Sequence, residues 1–235
     1  MLIYGFHAVL ARLKRDAAGV RDLYVDAGRE DARMRELVKT ANDAGLRPHF
    51  VDGSRIEKLC PRKRHQGVVA MVEFSAPALT LEDLLDSVSA PVTLLLLDGV
   101  TDPRNLGACL RVADGAGAAA VIAPKDHACQ LTDVAIQTAS GAAESVPYIM
   151  VTNLARAMDT IRERDIWLVG ADDAAPHNLY QAALPSSIGW VLGAEGTGMR
   201  RLTRERCDIL VSIPMLGQVS SLNVSVAAGV VLYES

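Results

Sequence analysis

Ile209-Leu210-Val211-Ser212-Ile213-Pro214 runs directly into Met215-Leu216-Gly217-Gln218-Val219-Ser220-Ser221-Leu222-Asn223-Val224-Ser225, and small residues dominate from there to Ser235. The first six residues read as an apolar strand and the small-residue tail as a helix, so the polar residues between them sit where a strand ends and a helix begins. Two upstream segments repeat the arrangement. Asp102-Pro103-Arg104-Asn105-Leu106-Gly107-Ala108-Cys109-Leu110-Arg111 follows one aliphatic run, and Leu192-Gly193-Ala194-Glu195-Gly196-Thr197-Gly198-Met199 closes another.

The aliphatic runs fix the fold class. Val92 to Leu97 is unbroken, as a central parallel strand covered on both faces must be. Similar runs lie at 119–123, 166–169, 188–192 and 209–213, with helical patterns between them at 106–113, 133–139, 154–164 and 199–206. This alternation predicts an α/β fold with a mostly parallel sheet, helices on both faces, and ligand chemistry at the carboxyl ends of the strands. All three polar junctions begin at such ends.

The first 75 residues have a different rhythm. Phe6, Val9, Leu10 and Leu13 recur at helical spacing, Leu23-Tyr24-Val25 reads as a strand, and Met34, Leu37, Val38 and Ala41 form the stripe of a second helix that Gly45 ends. Further strands are expected at 49–51 and 67–72, with a short helix at 54–59 between them. The stretch Phe74 to Thr80, with Ser75, Ala76, Pro77 and Ala78, reads as a linker, so the expectation is a small α/β module over 1–75, a linker over 76–90 and a larger domain over 91–235.

Composition narrows the function classes. Half of the 235 residues are hydrophobic and 4% are aromatic, which suits a large core of aliphatic strands and Ala-rich helices. The net charge of −4 argues against a protein that coats nucleic acid indiscriminately. Residues 1–75 nevertheless hold 14 basic and 10 acidic residues, leaving 10 and 18 for the rest. A basic module on an acidic body fits an RNA-docking unit attached to one that binds a cation or a small molecule. No apolar run approaches the roughly 18 residues of a membrane span, and Arg12, Lys14 and Arg15 follow the first apolar residues rather than precede them, so a cytoplasmic protein is expected. Cys60, Cys109, Cys129 and Cys207 form no CxxC pair, which indicates neither a metal site nor a disulfide framework.

The junction residues suggest what the site could do. Gly193, Gly196 and Gly198 permit a close backbone approach, and the Ser220-Ser221 pair offers hydroxyls and a cap for the last helix. Asn105 in the turn and Arg111 one and a half turns into the helix could serve one cleft, where an arginine would clamp a phosphate in two-pronged fashion. The alternative is that Arg111 pairs with Asp98, Asp102 or Asp114 on a solvated surface. A nicotinamide-dependent oxidoreductase is disfavoured, because Gly115-Ala116-Gly117 follows a helix and precedes a strand, the reverse of a dinucleotide fingerprint. A non-catalytic RNA-binding protein stays open on composition alone.

The three junctions in this order resemble the signature motifs of the SPOUT superfamily, TrmH family, which methylate RNA ribose 2'-hydroxyls with S-adenosyl-L-methionine. The resemblance implies a C-terminal deep trefoil knot, a homodimer formed through the knot helices, and no metal. By motif position it implies catalytic roles for Arg111, Asn105, Glu195, Ser221 and Asn223, and cofactor contacts at Gly193, Ile213, Leu222, Gly196 and Met215. Ile3-Tyr4-Gly5-Phe6-His7-Ala8-Val9 and His65-Gln66-Gly67-Val68 are similar to the bacterial branch that methylates a guanosine ribose in the peptidyl-transferase region of 23S rRNA. That branch carries an L30e-like RNA-binding module at its N-terminus, which makes Arg62, Lys63, Arg64 and His65 candidates for RNA contact. Enzymes acting on tRNA share the same three motifs. The chain stops at Tyr233-Glu234-Ser235, where members of the family tend to run a few residues longer.

Overall fold

The computed structural model describes residues 2–61, 65–73 and 79–235, and the chain divides into two compact units, Met1–Ser75 and Ala76–Ser235. The first unit runs β1 (Leu2–Tyr4), α1 (Phe6–Asp16), β2 (Val20–Asp26), α2 (Ala32–Asp43), β3 (His49–Val51), α3 (Gly53–Leu59) and β4 (Val68–Val72). Its sheet has the order β1-β4-β2-β3, with β4 antiparallel to β1 and β2, and β3 parallel to β2. Val9, Leu13, Leu23, Val25, Leu37, Ala41, Val68 and Ala70 form the core between the sheet and α1 and α2. The end of α2 follows from its sequence. Gly45 takes φ +79° just past the helix, and the amides of Gly45 and Leu46 reach back to the carbonyls of Asn42 and Ala41 (both 2.9 Å).

The second unit runs α4 (Leu81–Ser87), β5 (Thr93–Asp98), α5 (Pro103–Gly115), β6 (Ala120–Pro124), α6 (Asp133–Ala139), α7 (Ala142–Ser145), β7 (Tyr148–Val151), α8 (Leu154–Arg162), β8 (Trp167–Ala171), β9 (His177–Asn178), β10 (Ile188–Gly193), α9 (Arg201–Glu205), β11 (Ile209–Ser212) and α10 (Val224–Glu234). Every strand pair in its seven-stranded sheet is parallel, in the order β7-β6-β5-β10-β8-β11-β9. The five aliphatic runs occupy the inner strands, where Leu94, Leu95, Leu96, Val191 and Leu168 are sealed from water. The strand order places the carboxyl ends of β5, β10, β8 and β11 side by side. The last helix, α10, packs on α5 and β10, and the Trp190 indole N–H donates to the Ser235 hydroxyl (3.1 Å).

One expectation is corrected. Residues 81–87, within the span read as a linker, form α4, whose capping box joins Thr80 and Asp83. Leu81, Leu84 and Leu85 enter the core of the second unit, so the helix is held by burial that a seven-residue periodicity is too short to reveal.

Candidate active site

Each polar junction is shaped first by its own backbone requirements. Asp102 caps α5, its Oδ1 accepting from the amides of Arg104 (2.6 Å) and Asn105 (3.3 Å), and Pro103 takes the first helical turn, where a missing N–H costs nothing. After β10 the chain makes a narrow hairpin, in which Ala194 and Gly198 exchange backbone hydrogen bonds of 3.2 and 2.9 Å. A Cβ at Gly193 would stand 2.1 Å from the Gly198 carbonyl carbon and 2.2 Å from the Met199 nitrogen. Gly193 is thus required by the close approach of its own loop, a more local reason than room for a ligand. Gly196 and Gly198 hold φ of +79° and +66°, conformations that disfavour side chains.

The hairpin is anchored from below by a pair that the motif reading passed over. Asp98, at the end of β5 and fully buried in its side chain, accepts from the Arg200 backbone N–H (2.9 Å), Nε (2.7 Å) and Nη2 (2.6 Å). A buried carboxylate demands such saturation. Its position immediately after the Val92–Leu97 aliphatic run, at the carboxyl end of a central strand, was the available signal.

All three junctions meet at one amide. The Asn223 Nδ2 donates to Asn105 Oδ1 (3.0 Å) and to Glu195 Oε1, which also accepts from the Val224 amide (3.3 Å). The other end of the same side chain caps α10, with Asn223 Oδ1 accepting from the Ser225 amide (3.0 Å) and hydroxyl (2.6 Å). The cap therefore belongs to Asn223 and not to Ser220-Ser221. An asparagine suits the place because only an amide offers a donor to two acceptors and an acceptor to a helix start at once.

Beside this joint lies a cavity of about 330 Å³, lined from the ends of β8, β10 and β11 and the start of α10. Gly193, Gly196, Ile213, Met215 and Leu222 line it, as do Glu195 and Ser221, while Asn105, Asn223 and Arg111 stand outside the lining. Leu192, Met199, Ile213 and Leu222 give it an apolar side, and Asp172, Asp173, Glu195, Thr197, Ser220 and Ser221 a polar one. That combination, at this size, suits a small molecule with one flat apolar part and several hydrogen-bonding groups.

Residues 92–233 match the model of the SpoU rRNA Methylase family. The chain belongs to that family. Residues 2–78 match a second model, RNA 2'-O ribose methyltransferase substrate binding. The 23S rRNA (guanosine-2'-O-)-methyltransferase RlmB of Ralstonia nicotianae is 54% identical over 234 residues, spanning 100% of this chain and 94% of its own. RlmB of Bordetella pertussis is 53% identical, spanning 100% and 96%. Among solved structures, the SpoU methyltransferase AviRb from Streptomyces viridochromogenes, in complex with AdoMet, superposes with a TM-score of 0.78 at 27% identity, covering 100% of this chain and 88% of that one.

Within this SpoU fold the remaining expected residues fall into distinct places. Arg111 lies exposed on α5, and among the described residues it has neither a hydrogen bond nor an ion pair. Its three candidate partners are engaged elsewhere: Asp98 with Arg200, Asp102 as the α5 cap, and Asp114 with the Ser145 hydroxyl. Ser221 is exposed on the rim of the cavity. His65 spends both ring nitrogens on its own unit, Nε2 against Glu57 Oε2 (3.1 Å) and Nδ1 accepting from the Gly67 amide (3.1 Å). Arg62, Lys63 and Arg64 lie outside the described residues. All four cysteines are free; burial pushes the thiols of Cys109, under the site, and Cys207 up to about 12.

Proposed function

We propose that this protein transfers a methyl group from S-adenosyl-L-methionine to the ribose 2'-hydroxyl of a guanosine in 23S rRNA, in the peptidyl-transferase region. The observation that carries this reading is the joint at Asn223. It locks the three motifs of the SpoU family beside a cavity lined by every residue expected to hold the cofactor. The curated relatives at more than half identity over the whole chain bear the same activity in their names.

In this reading Gly193, Gly196, Ile213, Met215 and Leu222 hold S-adenosylmethionine, with backbone groups meeting its polar edges and the aliphatic side chains its flat ring. When bound, the cofactor supplies an electrophilic methyl on a sulfonium. Arg111 is the catalytic residue that meets the RNA. With no hydrogen bond or ion pair among the described residues, its guanidinium is available to grip a phosphate through two parallel N–H bonds and so place the neighbouring ribose. A guanidinium does not deprotonate in a protein, so Arg111 is no base. It lowers the pKa of the hydroxyl by its charge, and the RNA phosphate or a water accepts the proton. Asn105, Glu195 and Asn223 keep the rim rigid, and Ser221 offers a hydroxyl to the ribose from the opposite side.

The first unit acts as the RNA-docking module, L30e-like in design, through its excess of basic residues, Arg62, Lys63 and Arg64 among them. The reading includes the C-terminal trefoil knot and a cytoplasmic homodimer. The exposed Val226 and Tyr233 of α10, 51% and 69% accessible, support pairing through that helix. Among the described residues no helix is long and apolar enough to cross a membrane. The test is incubation of the purified protein with labelled S-adenosylmethionine and total RNA from a strain lacking it. Label is expected in 23S rRNA at one guanosine whose 3' bond resists alkali, as a 2'-O-methyl requires. Label in tRNA alone would overturn the target, and label that alkali does not protect would overturn the ribose chemistry.

A further inference from the structure

The cavity carries a charge pattern that binding alone does not need. Three carboxylates line it, Asp172, Asp173 and Glu195, and among the described lining residues there is no Lys, Arg or His. Two of the three are committed. Asp172 pairs with Arg204 (2.7 Å), and Glu195 Oε1 is shared between Asn223 and the Val224 amide. Asp173, exposed at the mouth after β8, has no hydrogen bond or ion pair among the described residues. Arg204 matches the charge of Asp172, whereas Glu195 is met only by neutral N–H donors and Asp173 by no donor among the described residues, so two negative charges at the cavity lack a cation and Asp173 alone is unengaged.

Methyl transfer breaks a C–S bond whose electron pair stays on sulfur, and forms a C–O bond at the ribose while the hydroxyl proton leaves to phosphate or water. The sulfonium becomes a neutral thioether, so the occupant of the cavity loses one unit of positive charge during turnover. We infer that Asp173 is a specificity-determining residue: its free carboxylate favours the cationic substrate over the neutral-sulfur product, S-adenosylhomocysteine, and so promotes product exit. This rests on the cofactor reading above. A carboxylate open to solvent acts through a high dielectric, which limits the preference to about twofold to fivefold and makes it sensitive to salt.

The test is calorimetric titration of the full chain and of its Asp173→Asn variant with S-adenosylmethionine and with S-adenosylhomocysteine, at low and high salt. Asp173 is exposed and makes no hydrogen bond or ion pair among the described residues, so the variant should fold as the parent does. The variant is expected to bind S-adenosylmethionine about twofold to fivefold more weakly with the product's affinity unchanged, and added salt should reduce the parent's preference toward the variant's. An unaltered affinity ratio, or equal weakening of both ligands, would overturn the assignment. If the unaltered protein bound neither ligand, the cofactor reading itself would fall, and this inference with it.

Discussion

Replacing Asn223 by Asp tests whether one amide joins the three motifs. The substitution keeps the size of the side chain and its ability to cap α10, since aspartate caps as well as asparagine. It removes the donor that serves Asn105 and Glu195, at about 1–2 kcal/mol for the two hydrogen bonds. It also sets a second carboxylate at hydrogen-bond distance from Glu195. At roughly 3 Å, with an effective dielectric between about 40 and 80 for this solvated rim, the repulsion is about 1.5–3 kcal/mol. The sum, about 2.5–5 kcal/mol, lowers Tm by roughly 5–15 °C in a chain of this size. Asn223→Ala loses the cap and both bonds but adds no charge, about 2–3 kcal/mol in all. Thermal unfolding followed by circular dichroism at pH 7.5 should therefore rank Asp below Ala, the reverse of their merit as caps. The pH dependence follows in sign. The new carboxylate facing Glu195 holds its proton to a higher pH when folded than when unfolded, so its penalty is full at pH 7.5 and fades as pH falls toward about 4. An Asp variant more stable than the Ala variant at pH 7.5 would refute the joint.

Arg111→Ala should abolish methyl transfer, by at least about 10² in rate, with S-adenosylmethionine affinity nearly unchanged, and Arg111→Lys should fare little better; near-normal turnover would remove Arg111 from the mechanism. Gly193→Ala should force the hairpin apart, because its Cβ would meet backbone at 2.1 Å, and weaken S-adenosylmethionine by more than about tenfold; an unchanged dissociation constant would show that the loop gives without cost. Cys109 and Cys207 keep their protons to about pH 12 when folded. Stability should therefore be full below the unfolded thiol value of about 8.5 and fall above it by up to about 1.4 kcal/mol per thiol per pH unit, an alkaline slope that a denaturant titration at pH 8 to 10 would find or fail to find. Joint replacement of Arg62, Lys63 and Arg64 by Ala should weaken RNA binding and flatten its salt dependence without touching cofactor binding; a matching affinity and salt slope would move recognition to the second unit.

The fold was legible where burial was complete on both faces. β5, β6 and β10 are buried along nearly their whole length and β8 through its middle, and the demand for apolar side chains on each face wrote itself into unbroken aliphatic runs, while the partly buried β11 was read from its own apolar run and the motif that follows it. The elements that escaped notice sit at margins. β7 and β9 are the two edges of the large sheet and β1 is an edge of the small one. Tyr148 and Val151 of β7 are only half buried, β9 spans two residues, and β1 three, so none carries enough buried positions to set a period. The strand order itself leaves no local trace, since β10 enters between β5 and β8 through contacts with residues far away in sequence.

The site divides along the same line between local and distant causes. Motif positions implied catalytic roles for Asn105, Glu195 and Asn223, and the structure joins the three side chains by hydrogen bonds, since each belongs to a junction that follows a strand whose end the parallel sheet sets beside the others. What they bond could not be read, because the Asn105–Asn223 contact closes 118 residues and the Asp98–Arg200 clamp 102. Arg111 makes the point most sharply. Sequence leaves it a choice between a surface ion pair with Asp98, Asp102 or Asp114 and a substrate clamp. Each carboxylate has a prior commitment set by its own surroundings: saturation of a buried charge for Asp98, a helix start for Asp102, a neighbouring hydroxyl for Asp114. Among the described residues Arg111 is left without a partner on α5, the helix that also carries Asn105 of the joint, and the proposed clamp on an RNA phosphate would supply the negative charge that these three carboxylates do not.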